Sequence, residues 1–268
     1  MTKKVGLALG AGGVKGIAHI GVIQALEENG IPIDIISGSS AGAIIGAIYA
    51  CGTDLSLLGK FFSSVNSRGY LDMALPRTGG GLVKGERMQE LVRLFTHDKT
   101  FEQALIPFIC MAVDVETGEL ITFSKERKLH ECVRASMSIP GVFVPIRIDG
   151  KLCVDGGVLE RVPCIQLREA GADVVIGVDV GYRGEHRPIN QPTMRNIIDN
   201  TLEIMRWEIA RLRLEQADVM LCPRTFSFMH GFSTENTVEC IAEGRRAALE
   251  AMPAIKTLLE TKGIELVK

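Results

Sequence analysis

A chain of 268 residues with 46% hydrophobic side chains is long enough to enclose one substantial hydrophobic core. Its 30 basic and 32 acidic side chains nearly cancel, and it has one tryptophan and three tyrosines. It therefore lacks both the positive charge and the aromatic platforms that favour nucleic acid binding. The seven cysteines are scattered and never spaced C-x-x-C, which argues against a disulfide framework or a metal site and indicates free thiols in a reducing compartment.

No stretch of the sequence reaches the roughly 18 apolar residues that a membrane span requires. The basic residues Lys3 and Lys4 precede an apolar run that glycines soon interrupt, which is not typical of a secretory signal. We therefore expect a soluble cytoplasmic protein. Nothing in the sequence bears on its oligomeric state.

Short apolar runs alternate with segments of helical periodicity along the whole chain. This alternation predicts an α/β fold of three layers, in which helices cover both faces of a mainly parallel central sheet. We see no linker or internal repeat, and we expect one domain over 1–268 whose helical C-terminal part, 193–268, packs on the same core. The predicted strands are 5–9, 33–37, 107–114, 120–124, 144–148, 152–154, 174–180 and 219–222. The predicted helices are 14–28, 43–50, 54–65, 85–95, 130–136, 164–170, 193–216 and 238–259.

The pentapeptide G-S-S-A-G at residues 38–42 lies between the second predicted strand and a predicted helix. In that setting the pattern G-x-S-x-G forms a nucleophile elbow, a sharp turn that exposes the hydroxyl of the central serine. Gly38 and Gly42 suit so tight a turn because a side chain there would clash. An ordinary strand-to-helix turn has the same composition, so the pentapeptide alone leaves both interpretations open for Ser40.

A glycine-rich loop after the first predicted strand provides candidate oxyanion donors. Gly12 and Gly13 would present backbone N–H groups at a helix N-terminus, where the helix dipole also favours negative charge. Loops that follow neighbouring parallel strands meet at the same edge of a sheet. We therefore expect this loop and Ser40 to face one crevice.

Two nucleotide-binding interpretations of the same loop fit less well. Gly10, Gly12 and Gly16 are spaced G-x-G-x-x-x-G, whereas a dinucleotide site requires G-x-G-x-x-G and an acidic residue at the end of the second strand, where Ser37 stands. A phosphate-binding P-loop requires Ser or Thr after its lysine, but Lys15 is followed by glycine. An NAD(P)-binding oxidoreductase is thus a minor alternative.

The general base for Ser40 is open between histidine and a carboxylate. Asp155 follows an apolar strand and begins the sequence D-G-G at residues 155–157, which is also typical of an ordinary turn. None of the histidines has a recognisable catalytic setting, and a packed or solvated side chain is the simpler interpretation for each. The histidines are His19, His97, His130, His186 and His230.

Taken together, these segments resemble the patatin-like phospholipase family. The loop A-G-G-V-K-G at 11–16 is similar to the family's oxyanion loop, and residues 38–42 are similar to its elbow. D-G-G at 155–157 resembles its D-G-[GA] element, and residues 135–143 resemble the segment that shortly precedes it. The resemblance extends from about residue 5 to residue 180 and is greatest to short bacterial members with a single domain.

The resemblance implies a Ser–Asp dyad in place of a triad, with Ser40 as nucleophile and Asp155 as base. The residues that it places at the oxyanion hole are Gly12, Gly13 and Ala11. The residues that it places in supporting positions are Gly10, Lys15, Gly16, Gly38, Gly42, Gly156 and Gly157. Ala11 stands where the family often has glycine, so we expect the hole to depend mainly on the other two residues. Lys15 either supports the hole electrostatically or is a surface charge.

The function implied by the resemblance is that of a serine lipid acyl hydrolase. It would cleave fatty-acyl esters of phospholipids or lysophospholipids through an acyl-enzyme, without a metal or a cofactor. Its expected partner is the lipid or acyl-ester substrate, with transient contact to a membrane surface and no nucleic acid. The alternatives are an acyltransferase or thioesterase that uses the same serine, and a non-catalytic regulatory module that senses acyl lipids.

Two apolar segments have open interpretations in such a protein. The segment 70–83 is either a mobile lid at the point of lipid entry or a plain surface loop. Residues 226–229 either line an acyl pocket or, as is more common for apolar side chains, pack beneath the last helix.

Overall fold

One mixed β-sheet forms the centre of the molecule. The computed structural model describes residues 3–65, 69, 71–74, 80–186, 189, 192–225, 229 and 233–267. Within these residues the strands are β1 (Val5–Leu9), β2 (Ile35–Gly38), β3 (Phe108–Asp114), β4 (Leu120–Phe123), β5 (Ile146–Ile148), β6 (Lys151–Asp155), β7 (Val174–Val178) and β8 (Val219–Leu221). The helices are α1 (Ala18–Glu28), α2 (Ala41–Ala50), α3 (Leu55–Ser64), α4 (Glu86–Phe95), α5 (Leu129–Ser136), α6 (Cys164–Glu169), α7 (Met194–Arg211) and α8 (Thr237–Lys262).

The strand order is β5-β6-β3-β2-β1-β7-β8, and β4 also pairs with β3. The five strands from β3 to β8 in that order are parallel, as the alternation of strands and helices predicts. The other three make the sheet mixed, because β4 and β6 run antiparallel to β3 and β5 runs antiparallel to β6. Asp149 and Gly150 join β5 to β6 with φ of 52° and 79°, the left-handed conformations of a tight hairpin turn.

Helices cover both faces of the sheet, which confirms the three-layer α/β/α fold. The larger core lies on one face, where Leu7 and Leu9 of β1 pack with apolar side chains of α1, α2, α5 and α8. The smaller core lies on the other face, where Ala8 packs with Val175 and with Leu167 of α6. Alternate residues of β1 therefore point into opposite cores, as expected for a strand that is buried on both sides.

The helix α8 crosses α1 at a very short separation. A β-carbon at Gly21 would lie 1.9 Å from the carbonyl oxygen of Ile241, and one at Gly244 would lie 1.9 Å from that of Ala18. Glycines at the crossing thus let the two backbones touch, and they fix the last helix against the first.

Several predicted boundaries differ from the structure. The helix predicted over 14–28 begins as a 3-10 helix, Gly13–Ile17, because Gly13 adopts a φ of 58° at the end of the glycine loop. The helix predicted over 193–216 ends at Arg211 and is followed by a 3-10 turn, Leu214–Gln216. The last helix extends to Lys262, where Gly263 ends it with a φ of 65°.

The cysteines are free thiols, as predicted, and all are buried except the half-buried Cys222. No helix in the described parts of the chain is both long and apolar enough to cross a bilayer. Of the segment 70–83, Met73 bridges to Val83, and Val83 bridges to Phe143. Residues 70, 75–79, 226–228 and His230 lie outside the described residues.

Candidate active site

Ser40 lies on a strained turn between β2 and α2. Its φ of 55° and ψ of −118° fall in a region that residues with a side chain rarely adopt. The two flanking glycines are required by close backbone approach, since a β-carbon at Gly38 would lie 2.5 Å from the carbonyl oxygen of Gly42. A β-carbon at Gly42 would lie 2.0 Å from that of Leu9. The turn therefore has the geometry of a nucleophile elbow.

Both polar groups of Ser40 have defined partners. The Oγ hydroxyl donates a hydrogen bond of 2.5 Å to Oδ2 of Asp155. The backbone N–H donates to Oγ of Ser136 at 3.0 Å. Ser40 and Asp155 are both almost fully buried, so their hydrogen bond is shielded from water.

Asp155 is the last residue of β6, and it is fixed by backbone contacts on both sides. Its N–H donates to the carbonyl oxygen of Ser138 at 2.9 Å, and its Oδ1 accepts from the N–H of Gly157 at 2.7 Å. Burial raises the pKa of Asp155 above its ordinary value, although the positive charge of Arg206 and the hydrogen bonds from Ser40 and Gly157 act in the opposite direction. A raised pKa makes this carboxylate a stronger base than an exposed aspartate.

The glycine loop that follows β1 lies beside the elbow, because β1 and β2 are neighbours in the sheet. Two hydrogen bonds of 2.9 Å fix the start of this loop. The N–H of Gly10 donates to the carbonyl oxygen of Val178, and the N–H of Ala11 donates to the carbonyl oxygen of Arg161. The N–H groups of Gly12 and Gly13 donate to no acceptor among the described residues. These two amides are therefore available for a ligand, whereas that of Ala11 is engaged.

The buried side chain of His19 contacts the start of the same loop at Gly10. Its Nε2 lies 2.8 Å from the carbonyl oxygen of Gly10, and because a carbonyl can only accept, Nε2 carries the hydrogen. Burial lowers the pKa of His19 to about 4, so the ring is neutral at physiological pH. His19 is a buried structural side chain, as the sequence suggested, and it is a positioning residue for the loop.

Two cavities meet at Ser40. The first has about 610 Å³ of empty space and is almost entirely apolar. Its lining includes Ile17, Ile44, Ile45, Phe62, Met88 and Phe143. The second has about 1010 Å³ of empty space and a mixed lining. We call it the polar cavity because, besides Ser40 and Asp155, it is lined by Lys15, Arg161 and Arg206. A single serine thus faces one cavity suited to a hydrocarbon chain and another suited to a polar group.

The structure gathers the predicted site residues around these cavities. Gly12, Gly13 and Lys15 line the polar cavity, and Gly13 lines the apolar cavity as well. The supporting glycines stand where a β-carbon would come within 2.6 Å of a neighbouring atom. Those atoms are Val178 O for Gly10, Ala41 Cβ for Gly16, Met111 O for Gly156 and Ala11 Cβ for Gly157.

None of the described histidines lines either cavity. His97 is exposed, His130 contacts Gln89 and Asp98, and His186 is exposed in the loop after β7. Among the described residues, the candidate base within hydrogen-bond distance of Ser40 Oγ is therefore the carboxylate of Asp155.

The roles of several residues around the site could not be assigned from the sequence. Ser136 and Ser138 belong to the segment 135–143, whose resemblance to the family gave the signal, but their contacts with the two site residues could not be read from it. Arg161 and Arg206 gave no signal at all, because long-range packing brings them to the polar cavity.

A strained serine donates to a buried carboxylate beside two amides that have no acceptor in the described parts of the chain, which is the arrangement of an acyl-transfer site on an α/β fold. The model of one family, described as patatin-like phospholipase, matches residues 7–168. The chain belongs to the patatin-like phospholipase family, which confirms the resemblance seen in the sequence.

Relatives agree with that assignment, and one solved structure shares the fold. Uncharacterized NTE family proteins of Mycobacterium bovis and Mycobacterium tuberculosis are 38% identical over 178 residues, which is 66% of this chain and 49% of each relative. Lysophospholipase NTE1 of Coccidioides immitis is 35% identical over 190 residues, 69% of this chain and 12% of that protein. The chain thus spans about half the length of the mycobacterial relatives and a small part of the Coccidioides protein. The crystal structure of VipD from Legionella pneumophila shares the fold, with a TM-score of 0.65 at 17% identity over 94% of this chain and 67% of that one.

Proposed function

We propose that this protein is a serine hydrolase that cleaves fatty-acyl esters of phospholipids or lysophospholipids through a Ser–Asp dyad. The hydrogen bond of 2.5 Å from Ser40 Oγ to Asp155 Oδ2, on a strained elbow, is the observation that carries the proposal. Relatives that are named lysophospholipases support a lipid ester as the substrate.

In the first half-reaction, Ser40 Oγ attacks the ester carbonyl carbon while Asp155 Oδ2 takes the hydroxyl proton. The carbonyl π electrons move to oxygen, and the N–H groups of Gly12 and Gly13 stabilise the resulting oxyanion. When this intermediate collapses, the C–O bond to the alcohol breaks, and the alcohol takes the proton from Asp155. The products are the free alcohol and an acyl group on Ser40.

In the second half-reaction, water replaces the alcohol. Asp155 takes a proton from the water molecule as the water oxygen attacks the acyl carbon, and the oxyanion forms again at the same two amides. Collapse breaks the bond to Ser40 Oγ, which recovers its proton from Asp155, and releases the fatty acid. One carboxylate therefore serves as base and acid in both halves, without a histidine.

The apolar cavity supports a fatty-acyl chain as the bound portion of the substrate. Its lining is apolar apart from Ser40 and Thr234, as expected for a site that binds a hydrocarbon chain. Leu71, in the segment 70–83, lines this cavity, so that segment borders the proposed acyl site. Met229 is buried in the larger core, which agrees with packing at that position.

The test is product analysis with a panel of lysophospholipid, diacyl phospholipid, acyl thioester and short ester, with and without an acceptor alcohol. We expect release of free fatty acid from the oxygen esters, unchanged by a chelator, and covalent labelling by a fluorophosphonate. Ser40→Ala supplies the background. Product appearing mainly as a transferred acyl ester would indicate an acyltransferase. Binding without turnover would indicate a sensing module.

The oxyanion role of Gly12 predicts a specific loss and a specific rescue. A β-carbon at Gly12 would lie 2.5 Å from Cγ2 of Val180, so Gly12→Ala should displace the loop amides. We expect kcat/KM to fall about 10²-fold, the scale for loss of an oxyanion donor. Adding Val180→Ala removes the clashing methyl and should restore most of the loss, while Val180→Ala alone is the control. Failure of the double variant to recover would contradict a role for this contact.

A further inference from the structure

The polar cavity is completed by α7, which lies outside the residues matched by the family model. This helix contributes Asp199, Leu202, Glu203 and Arg206, at the spacing that places side chains on one face of a helix. They face the same cavity as Ser40 and the oxyanion amides. The family motifs therefore leave this wall of the site without an assigned role.

The two arginines that line the polar cavity, Arg161 and Arg206, differ in how far their hydrogen-bond donors are engaged. Each nitrogen of the Arg161 guanidinium donates a hydrogen bond, since Nε and Nη2 donate to Asp179 at 3.0 and 2.6 Å and Nη1 donates to the carbonyl oxygen of Tyr182 at 2.6 Å. Arg161 thus acts as a structural side chain that also stacks on Trp207.

Arg206 is only partly engaged. Its Nη1 makes one long hydrogen bond of 3.3 Å to Glu203, and its Nη2 is buried with no hydrogen-bond partner among the described residues. The neighbouring pair Arg211–Glu208 has the same i,i+3 spacing but a bond of 2.7 Å from Nε and a contact of 2.5 Å from Nη2. The side chain of Arg206 is 17% exposed and that of Arg211 is 50% exposed.

A buried cationic donor without an acceptor is costly, and native structures retain one mainly where a ligand or water supplies the acceptor. A guanidinium matches phosphate better than any other side chain, because its planar fork makes two parallel charge-assisted bonds. The leaving alcohol of a phospholipid carries a phosphate a few bonds from the scissile ester. The cavity beside Ser40 is the space that such an alcohol would occupy if the acyl chain fills the apolar cavity.

We propose, on the basis of the function proposed above, that Arg206 binds the phosphate of the phospholipid leaving group and so determines specificity for phosphate-bearing esters. The acyl chain then lies in the apolar cavity, the ester carbon lies at Ser40, and the phosphate lies against Nη2 of Arg206 on α7. The substrate is selected by its phosphate as well as by its hydrocarbon chain.

Arg206 has a second effect that the test must separate. Burial raises the pKa of Asp155 and the charge of Arg206 partly opposes this, so loss of the charge shifts the acid limb of the pH profile upward for every substrate. Phosphate recognition instead changes the preference between two substrates of the same acyl chain. Measurements on the high-pH plateau separate the two effects.

The experiment compares kcat/KM for a lysophospholipid with that for a monoacylglycerol of the same acyl chain. We expect Arg206→Gln to lower the ratio of the two values about 10- to 100-fold, the scale of a charged hydrogen bond, and Arg206→Lys to lower it less. Arg211→Gln, at the matched exposed pair, should leave the ratio unchanged. Thermal melts of each variant establish that the fold is retained.

The outcomes separate this inference from the proposed function. If the wild type hydrolyses both esters and Arg206→Gln has the same ratio of kcat/KM values, the phosphate subsite is overturned and the proposed hydrolase function stands. If the wild type hydrolyses neither ester, both proposals are overturned. A control with inorganic phosphate tests whether the site binds a free phosphate ion and not the phosphate of a lipid. We expect it to inhibit monoacylglycerol hydrolysis by the wild type only weakly, since it lacks the acyl chain. Binding of inorganic phosphate as tight as that of the lysophospholipid would contradict a subsite for the substrate.

Discussion

Ser40→Ala is expected to lower kcat for ester hydrolysis by up to about 10⁶-fold, the scale seen when a serine nucleophile is removed. Alanine offers no oxygen to form the acyl-enzyme, while the amides of Gly12 and Gly13 remain in place. Fluorophosphonate labelling should disappear in parallel, which mass spectrometry of the intact protein would measure. Retention of wild-type turnover by Ser40→Ala would exclude an acyl-enzyme at this residue.

Backbone strain at Ser40 gives an independent measurement at the same position. Its φ of 55° and ψ of −118° are accessible to glycine at little cost, but they are unfavourable for any residue with a β-carbon. Ser40→Gly removes the hydroxyl and the strain, whereas Ser40→Ala removes only the hydroxyl. We expect the glycine variant to exceed the alanine variant by about 1 kcal/mol in free energy of unfolding, measured by urea denaturation. Equal stabilities would mean that the elbow holds no strain.

The two central residues could be predicted because each lies in a contiguous motif. The elbow at 38–42 and D-G-G at 155–157 predict turns. Their glycines are required because neighbouring atoms lie within a few ångströms of where a β-carbon would stand. The partners that complete the site come from distant segments. Nothing in the sequence near Ser136 indicates that it accepts the N–H of Ser40, 96 residues earlier, and Arg206 reaches the cavity only because α7 packs over it.

The fold, like the site, could be predicted where the signal is local in the sequence and not where it depends on distant contacts. Apolar runs identified the strands, but the same runs fit parallel and antiparallel pairing. The direction of β6 against β3 therefore depended on long-range contacts that the sequence does not display. The short turns at 116–119, between β3 and β4, and at Asp149 and Gly150, between β5 and β6, are local signals of antiparallel pairs. Helix boundaries moved where a glycine with positive φ changed the first or last turn.

Asp155→Asn is expected to lower kcat about 10³- to 10⁴-fold, comparable with loss of the acidic member of a catalytic triad. The amide is isosteric with the carboxylate, so the contact with the N–H of Gly157 can be retained, but it cannot take the proton of Ser40. The wild-type pH–rate profile should have an acid limb above the ordinary aspartate pKa of about 3.9, because burial raises the pKa of Asp155. Full activity of Asp155→Asn would return the search for the base to the histidines.

The same substitution should stabilise the protein at neutral pH. Because the pKa of Asp155 is raised in the folded state, its protonated form is favoured by folding, and the stability it contributes below the unfolded pKa is lost as pH rises through the folded pKa. Asparagine does not titrate, so the advantage of Asp155→Asn in Tm should grow across that window and remain constant above it. At Asp114 burial raises the pKa but hydrogen bonds from Thr117 and the N–H of Glu116 outweigh it, so the pKa is lowered and Asp114→Asn should destabilise at neutral pH. A gain at Asp155 that did not change with pH would contradict this account, whereas the expected pattern would mean that the buried base is maintained for catalysis at the expense of stability.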